Sequence, residues 1–135
     1  MKASSLCFRG AVLCVIAGML WGLHMAISGD HSAHPAHAHL NLVGWVSLFL
    51  IGIYYRLHPG LEHDRRAHLQ VWSWLVGTVV MAIGVGLVHT GTLQAEPLAA
   101  GGSLIVLAST LLFAWLLFRS ERAGSSARAA AAPAE

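Results

Sequence analysis

Charge is the property that this 135-residue chain has least of. Only 10% of its residues are charged, against about a quarter in a typical soluble domain, while 56% are hydrophobic and the mean hydropathy is +0.65. This composition excludes an ordinary soluble domain. It predicts a small, single-domain protein of the membrane, for which the lipid bilayer is the first partner.

The chain also lacks the motifs of several function classes. It has no glycine-rich loop for nucleotide phosphates, and its basic residues are too sparse to bind nucleic acid. No Cys-x-x-Cys-His sequence is present, so nothing indicates covalent attachment of haem. The sequence therefore gives no support to a function that uses nucleotides or binds nucleic acid.

Four long apolar runs are present, at residues 10–28, 40–55, 71–88 and 98–118. About 20 apolar residues are needed for a helix to cross a hydrocarbon core of roughly 30 Å. The second run is short, but Leu57 and the His39 end extend it. Because backbone polar groups in lipid must bond to one another, the runs predict four transmembrane α-helices and an all-α membrane protein.

The basic residues predict how these helices are oriented. None lies in segments 30–38 or 89–97, whereas all of them flank the first run, the second loop or the fourth run: Lys2, Arg9, Arg56, Arg65, Arg66, Arg119, Arg122 and Arg128. By the positive-inside rule, both termini and the second loop are cytoplasmic. We therefore expect a multi-pass protein of the inner (cytoplasmic) membrane, with the first and third loops on the outer, periplasmic side.

The end of the chain, residues 123–135, is rich in alanine, serine and glycine and has no apolar periodicity. We expect it to be a disordered cytoplasmic tail, which leaves residues 1–122 as one four-helix domain. Cys7 and Cys14 fall at the predicted cytoplasmic end of the first helix, where thiols stay reduced.

Six of the nine histidines fall on the predicted outer side: His24, His31, His34, His37, His39 and His89. His24, His39 and His89 lie near the ends of three different helices, at about the same depth. Because histidine is costly at membrane depth, a shared haem iron or copper explains them economically. The alternative is a polar membrane edge of hydrogen-bonded imidazoles. His31 and His34 either capture copper or zinc or form an ordinary polar loop.

The spacing of His37 and His39 restricts what this pair can bind. Residues two apart on an α-helix point about 200° away from each other, so one metal cannot easily take both rings. They can serve two sites on opposite sides of the helix. Below His37, Gly44 would let a large planar group or another helix approach closely.

The second helix resembles a known pattern, carried by His37-x-His39, Gly44-Trp45, Gly52, Tyr55, Leu57 and Pro59. It is similar to the tenth transmembrane helix of the haem-copper oxidase catalytic subunit, above all in the C-family oxidases and the bacterial nitric oxide reductases. The resemblance implies that His37 ligates a high-spin haem and His39 a low-spin, electron-transferring haem. It further implies copper as a second cofactor near His89, while His24 has no counterpart.

The chain departs from that pattern in ways that affect its function. It has four helices where the catalytic subunit has many more, it lacks a distant second histidine for the low-spin haem, and no Asp or Glu lies inside a span. The last point argues against proton pumping. Self-association into a homotrimer or homodimer would supply the missing ligand. Small residues of the third helix suit close contacts, either between copies or within one chain: Gly77, Ala82, Gly84 and Gly86.

We therefore expect a haem b-binding integral membrane protein, oxidase-like and homo-oligomeric, that transfers electrons from a donor or binds O2 or NO. If it is an enzyme, it is a haem-dependent oxidoreductase that reduces one of these gases. One alternative is a copper- or zinc-binding membrane protein that uses the outer histidines. The other is an accessory subunit without a cofactor.

Overall fold

Four long helices account for most of the chain, as the apolar runs predict. The structure, a computed structural model, describes the backbone of residues 1–130 and the side chains of residues 1–122. The helices are α1 (Ala3–Ser28), α2 (His34–Leu57), α3 (Arg65–His89) and α4 (Glu96–Ala130), and each is long and apolar enough to cross a membrane. The four-helix transmembrane fold is thus confirmed, while the cytoplasmic placement of the termini stays a prediction.

Local sequence signals set the helix ends. α1 ends at Gly29, which adopts a left-handed conformation (φ 70°) and donates its N–H to the Met25 carbonyl. α2 begins with Pro35 in its first turn, where a missing N–H costs nothing. The Asp64 side chain caps α3 by accepting the Arg66 N–H at 2.7 Å. Short turns at Pro59–Leu61 and Leu93–Ala95 complete the connections.

The helices pack as two pairs, α1 with α2 and α3 with α4, and α3 also contacts α2. The buried core lies at the end of the bundle that carries the basic residues. It joins the start of α1, the end of α2, the start of α3 and the middle of α4, with Tyr55, Val71 and Leu116 fully buried. The opposite end, where the outer histidines lie, contributes little to this core.

α2 is not a regular α-helix. Its first part (His34–His39) and last part (Leu48–Leu57) are α-helical, but the segment between them (Leu40–Ser47) is π-helical. The Ser47 hydroxyl donates to the Leu42 carbonyl at 2.8 Å, and the Trp74 indole of α3 donates to the Val43 carbonyl at 3.0 Å. π-Helical turns are rare and concentrate at functional sites, and this one directly follows His39.

Glycines bring α3 and α4 into backbone contact. A Cβ at Gly84 would collide with the Ala99 backbone, and one at Gly102 with the Met81 backbone. Gly86 instead faces Trp21 of α1. A Cβ at Gly86 would lie only 2.9 Å from the Trp21 ring, which is closer than an ordinary contact. In this structure, Gly77, Gly84 and Gly86 therefore serve contacts within one chain, which is one of the two roles that the sequence allows.

The last helix extends further than the sequence suggests. α4 runs to Ala130, so helix is described over part of the segment for which we expect disorder. Alanine has the highest helix propensity of all residues, which favours this continuation. The final stretch, residues 131–135, lies outside the described residues.

Candidate cofactor site

His37 lies in the contact between α2 and α1. Its Nδ1–H donates to the Gly18 carbonyl at 2.8 Å, a bond between residues 19 positions apart. The ring sits over Gly22, where a Cβ would come within 2.8 Å of the His37 Cε1 atom. Only glycine leaves room for the imidazole at this point, so α1 is shaped to receive it.

Asn41 lies one turn after His37 and completes its surroundings. The Asn41 amide donates to the His37 carbonyl at 2.9 Å and lies 3.2 Å from His37 Nε2. Because the Gly18 carbonyl takes the Nδ1 proton, Nε2 is the acceptor of this pair. Asn41 packs in turn on Gly18, where a Cβ would lie 2.8 Å from the amide. Both ring nitrogens of His37 are thus engaged by the protein.

His39 is held differently. Its Nδ1–H donates to the Pro35 carbonyl of its own helix at 2.7 Å, and the side chain is half-buried. Since a carbonyl can only accept, this bond fixes the proton on Nδ1 and leaves the Nε2 lone pair available. Among the described residues, Nε2 has no hydrogen-bond partner. The two histidines of the pair have separate surroundings, as their spacing predicts.

The face of α2 below His39 is apolar and points away from the bundle. It exposes Leu42, Val46, Phe49, Leu50 and Ile53, whereas Val43 packs on the core. A shallow depression of about 220 Å³ lies on this face, between Trp45, Val46, Phe49 and Leu50. α2 therefore carries an imidazole with an open nitrogen, followed along the helix by an exposed apolar surface.

Gly44 admits another helix. It is buried, and a Cβ there would lie 2.8 Å from Cys14 of α1 and 3.3 Å from Thr78 of α3. Of the two partners that the sequence suggests for Gly44, a planar group or a helix, the structure has the helix. The Thr78 hydroxyl is buried here without a hydrogen-bond partner among the described side chains.

The remaining histidines at this end of the bundle are exposed and do not form a cluster. His89 donates its Nδ1–H to the Val85 carbonyl at 2.9 Å, and His31 lies 3.1 Å from the Gly29 carbonyl. His24 is exposed near the end of α1, and the His34 ring centroid lies 6.2 Å from that of His37. Within residues 1–122, no three His, Cys, Asp or Glu side chains are grouped to hold a metal ion.

A bond from Nδ1 to the carbonyl four residues earlier is common in this chain. His58, His68 and His89 make it as well as His39. The bond alone therefore does not mark a ligand. His58 and His68 are half-buried as well. What distinguishes His39 is the exposed apolar face on the following turns of α2.

The partners of His37 were not predicted from the sequence. Asn41 was detectable as a polar residue inside a span, and Gly18 and Gly22 as a pair of small residues four apart. A second buried network was not predicted either. In it, the Tyr55 hydroxyl donates to Gln70 at 2.9 Å, and Gln70 donates to Ser109 at 3.3 Å. This network ties α2, α3 and α4 together.

Two carboxyl groups outside the spans have shifted pKa values. In the first loop, the Ser32 N–H donates to Asp30 and lowers the pKa of that carboxyl. In the second loop, burial raises the pKa of Glu62, but hydrogen bonds from Ser4 outweigh burial and bring the pKa below its ordinary value. Glu62 thereby fastens the second loop to the first turn of α1.

Comparison with known proteins gives no match: no protein-family model, no curated protein and no solved structure is similar to this chain. The functional interpretation therefore depends on the residues of the chain itself and on the pattern in α2.

Proposed function

We propose that the protein is a haem b-binding integral membrane protein that transfers electrons, with His39 as an axial ligand of the iron. The observation that supports this proposal is the state of the His39 ring. Its Nδ1–H is fixed on the Pro35 carbonyl, and its Nε2 has no partner among the described residues. The following turns of α2 expose an apolar face. The resemblance of α2 to an oxidase helix points to the same residue.

The surroundings of His39 suit a haem. An axial histidine needs its other nitrogen held by a second group, which fixes the tautomer and the ring direction, and the Pro35 carbonyl does this. Leu42 and Val46, the exposed apolar residues that follow His39, would shield a bound haem from water. Haem, when bound, supplies one-electron chemistry, and the protein sets the ligand and the burial.

The second axial ligand has to come from elsewhere. Within the described residues, no three His, Cys, Asp or Glu side chains are grouped to hold a metal ion, and no hydrogen bond or ring contact joins His39 to another histidine. A second copy of the chain would supply its own His39, or His89, across the exposed face of α2. This is the reason to propose a homodimer or homotrimer. An iron held by two histidines would have no open position for a substrate, which favours electron transfer over catalysis.

His37 is the less accessible half of the pair. To hold a second iron through Nε2, its ring would have to exchange the Asn41 amide for the metal, while the Nδ1–H bond to the Gly18 carbonyl could stay. That exchange would create the open high-spin site at which O2 or NO binds. We therefore propose electron transfer first and gas binding second. No observation in the structure favours the copper or zinc alternative.

An absorption spectrum of the purified protein tests the proposal. After expression with sufficient haem, we expect reducible α and Soret bands and extractable haem b. His39→Ala should remove the low-spin bands, whereas His34→Ala, an exposed histidine on the same helix, should leave them. A folded protein without haem would refute the proposal and favour an accessory subunit. Bound copper or zinc in elemental analysis would favour the metal-site alternative.

A further inference from the structure

A second feature lies at the opposite end of the bundle and does not involve the histidines. Two arginines from different helices stack on one tryptophan of α4. The Arg66 guanidinium carbon lies 5.1 Å from the centroid of the Trp115 ring, and that of Arg119 lies 5.3 Å from it. Guanidinium groups are attracted to an indole ring, but two like charges at one ring repel each other. An anion close to both guanidinium groups would relieve that repulsion.

The surface beside this tryptophan is a groove of about 330 Å³. Its lining consists of Trp115, Phe118, Arg119 and Arg122, and it includes no acidic side chain. Trp115 is 47% exposed and Phe118 is 59% exposed. The groove thus combines positive charge with exposed aromatic surface. A soluble anion would use only the charge, whereas a ligand with both a charged group and an apolar part would use both.

The position of the groove identifies its occupant. It lies at the last turns of the membrane-spanning part of α4, at the end of the bundle that carries the basic residues. Tryptophan prefers the level of the lipid headgroups, and arginine binds phosphate through paired N–H donors. An anionic phospholipid would place its phosphate at the arginines and its acyl chain along Phe118 and Trp115.

We propose that Trp115 and Arg119, which line the groove, and Arg66, which contacts the same indole ring from α3, form a binding site for an anionic phospholipid of the phosphatidylglycerol type. The site is separate from the proposed haem site, so the two proposals stand independently. Arg66 belongs to α3, whereas Arg119 and Trp115 belong to α4. A bound lipid would therefore join the ends of two helices.

The experiment measures lipid binding to the full chain. We would count bound lipids by native mass spectrometry and measure the melting temperature, in vesicles or micelles that contain phosphatidylglycerol or only phosphatidylcholine. The wild type should bind phosphatidylglycerol preferentially and melt at a higher temperature with it. Arg66→Gln and Arg119→Gln should each weaken this binding about fivefold.

Arg65→Gln is the matched control. Arg65 precedes Arg66 on the same helix and is exposed, but it does not stack on Trp115. An equal loss of binding in Arg65→Gln would refute the site and indicate only a diffuse attraction of positive charge. An equal affinity of the wild type for both lipids would refute it as well.

Two further arms complete the test. Trp115→Leu keeps all the charges and should still weaken phosphatidylglycerol binding. If it does not, the tryptophan is not part of the site. Inorganic phosphate, added to protein in phosphatidylcholine, should not raise the melting temperature. Stabilisation equal to that by phosphatidylglycerol would assign the groove to a soluble phosphate and overturn the lipid proposal.

Discussion

Both helix pairs of this bundle use glycine to bring their helices together, but what meets the glycine differs. Between α3 and α4, Gly84 faces the backbone of Ala99 and Gly102 that of Met81. Between α1 and α2, Gly18 faces the Asn41 amide and Gly22 the His37 ring. One pair is joined backbone to backbone. In the other, the space left by Gly18 and Gly22 holds polar side chains.

The difference shows two uses of the same residue in a membrane protein. Lipid gives helices no hydrophobic reason to associate, so close packing and interhelical hydrogen bonds must hold them together. The α3–α4 pair relies on packing. The α1–α2 pair gives up part of that packing to bury an imidazole and an amide, which is expected where a side chain has a chemical role.

The largest effect is expected at the backbone contact of α3 and α4. A Cβ at Gly102 meets the Met81 backbone, whereas a Cβ at neighbouring Gly101 meets nothing within 4 Å. Gly102→Ala should lower the free energy of unfolding by about 1–3 kcal/mol. Gly101→Ala should leave it unchanged or raise it by up to about 1 kcal/mol. Unfolding by sodium dodecyl sulfate, followed by circular dichroism, measures both. Equal effects would contradict the backbone contact.

A smaller loss is expected where glycine admits a side chain. In Gly22→Ala, the His37 ring must move, and its bond to the Gly18 carbonyl is lost. Because a ring moves more easily than a backbone, we expect a loss of about 1 kcal/mol. The same unfolding assay gives the stability, with Gly101→Ala again as control. Nitrogen-15 NMR of the histidines reports the Nδ1–H bond, and an unchanged His37 signal would show that the ring is placed elsewhere.

The link between the two pairs can be tested at Tyr55. Its hydroxyl donates to Gln70 at 2.9 Å, and both side chains are fully buried. Tyr55→Phe leaves the Gln70 oxygen without this donor and should cost about 0.5–1.5 kcal/mol. Tyr54→Phe, at a half-exposed position, removes a hydroxyl that lies 2.8 Å from Ser120 and should cost less. The opposite order in the unfolding assay would contradict the network.

The smallest effect concerns the attachment of α1 and depends on pH. The pKa of Glu62 is lower in the folded protein than its ordinary value of 4.5, so the folded state binds its proton less readily. The stabilisation is complete above that value and is lost as the pH falls through the lower, folded pKa. Glu62→Gln should therefore flatten the stability profile below about pH 4.5. A melting series in wild type and variant checks this. Identical slopes would show that the Ser4–Glu62 bonds do not contribute.

The fold was predictable because its signals are long and repeated. Each span extends over about 20 residues, so a single ambiguous position does not change the prediction. The local bond of His39 to Pro35 also follows from helical spacing, since residues four apart are neighbours. These features depend only on residues close together in sequence.

The surroundings of His37 could not be predicted in the same way. Its bond to Gly18 joins residues 19 apart, and the Ser4–Glu62 contact joins residues 58 apart. Such contacts depend on how whole helices rotate against each other. The π-helical segment changes that rotation within α2, and no residue type marks it in the sequence. The haem, the oligomer and the orientation remain predictions.

The π-helical segment also restricts how this chain can evolve. Leu40–Ser47 lies between the histidine pair and the anchored end of α2, so its residue count sets the angle between them. Deleting one residue between His39 and Tyr55 without a compensating change from π- to α-helix would turn Tyr55 by about 100° relative to His39. Either the Gln70 contact or the histidine placement would then fail. Homologous chains should vary freely in loop length but keep the number of residues between His39 and Tyr55 constant.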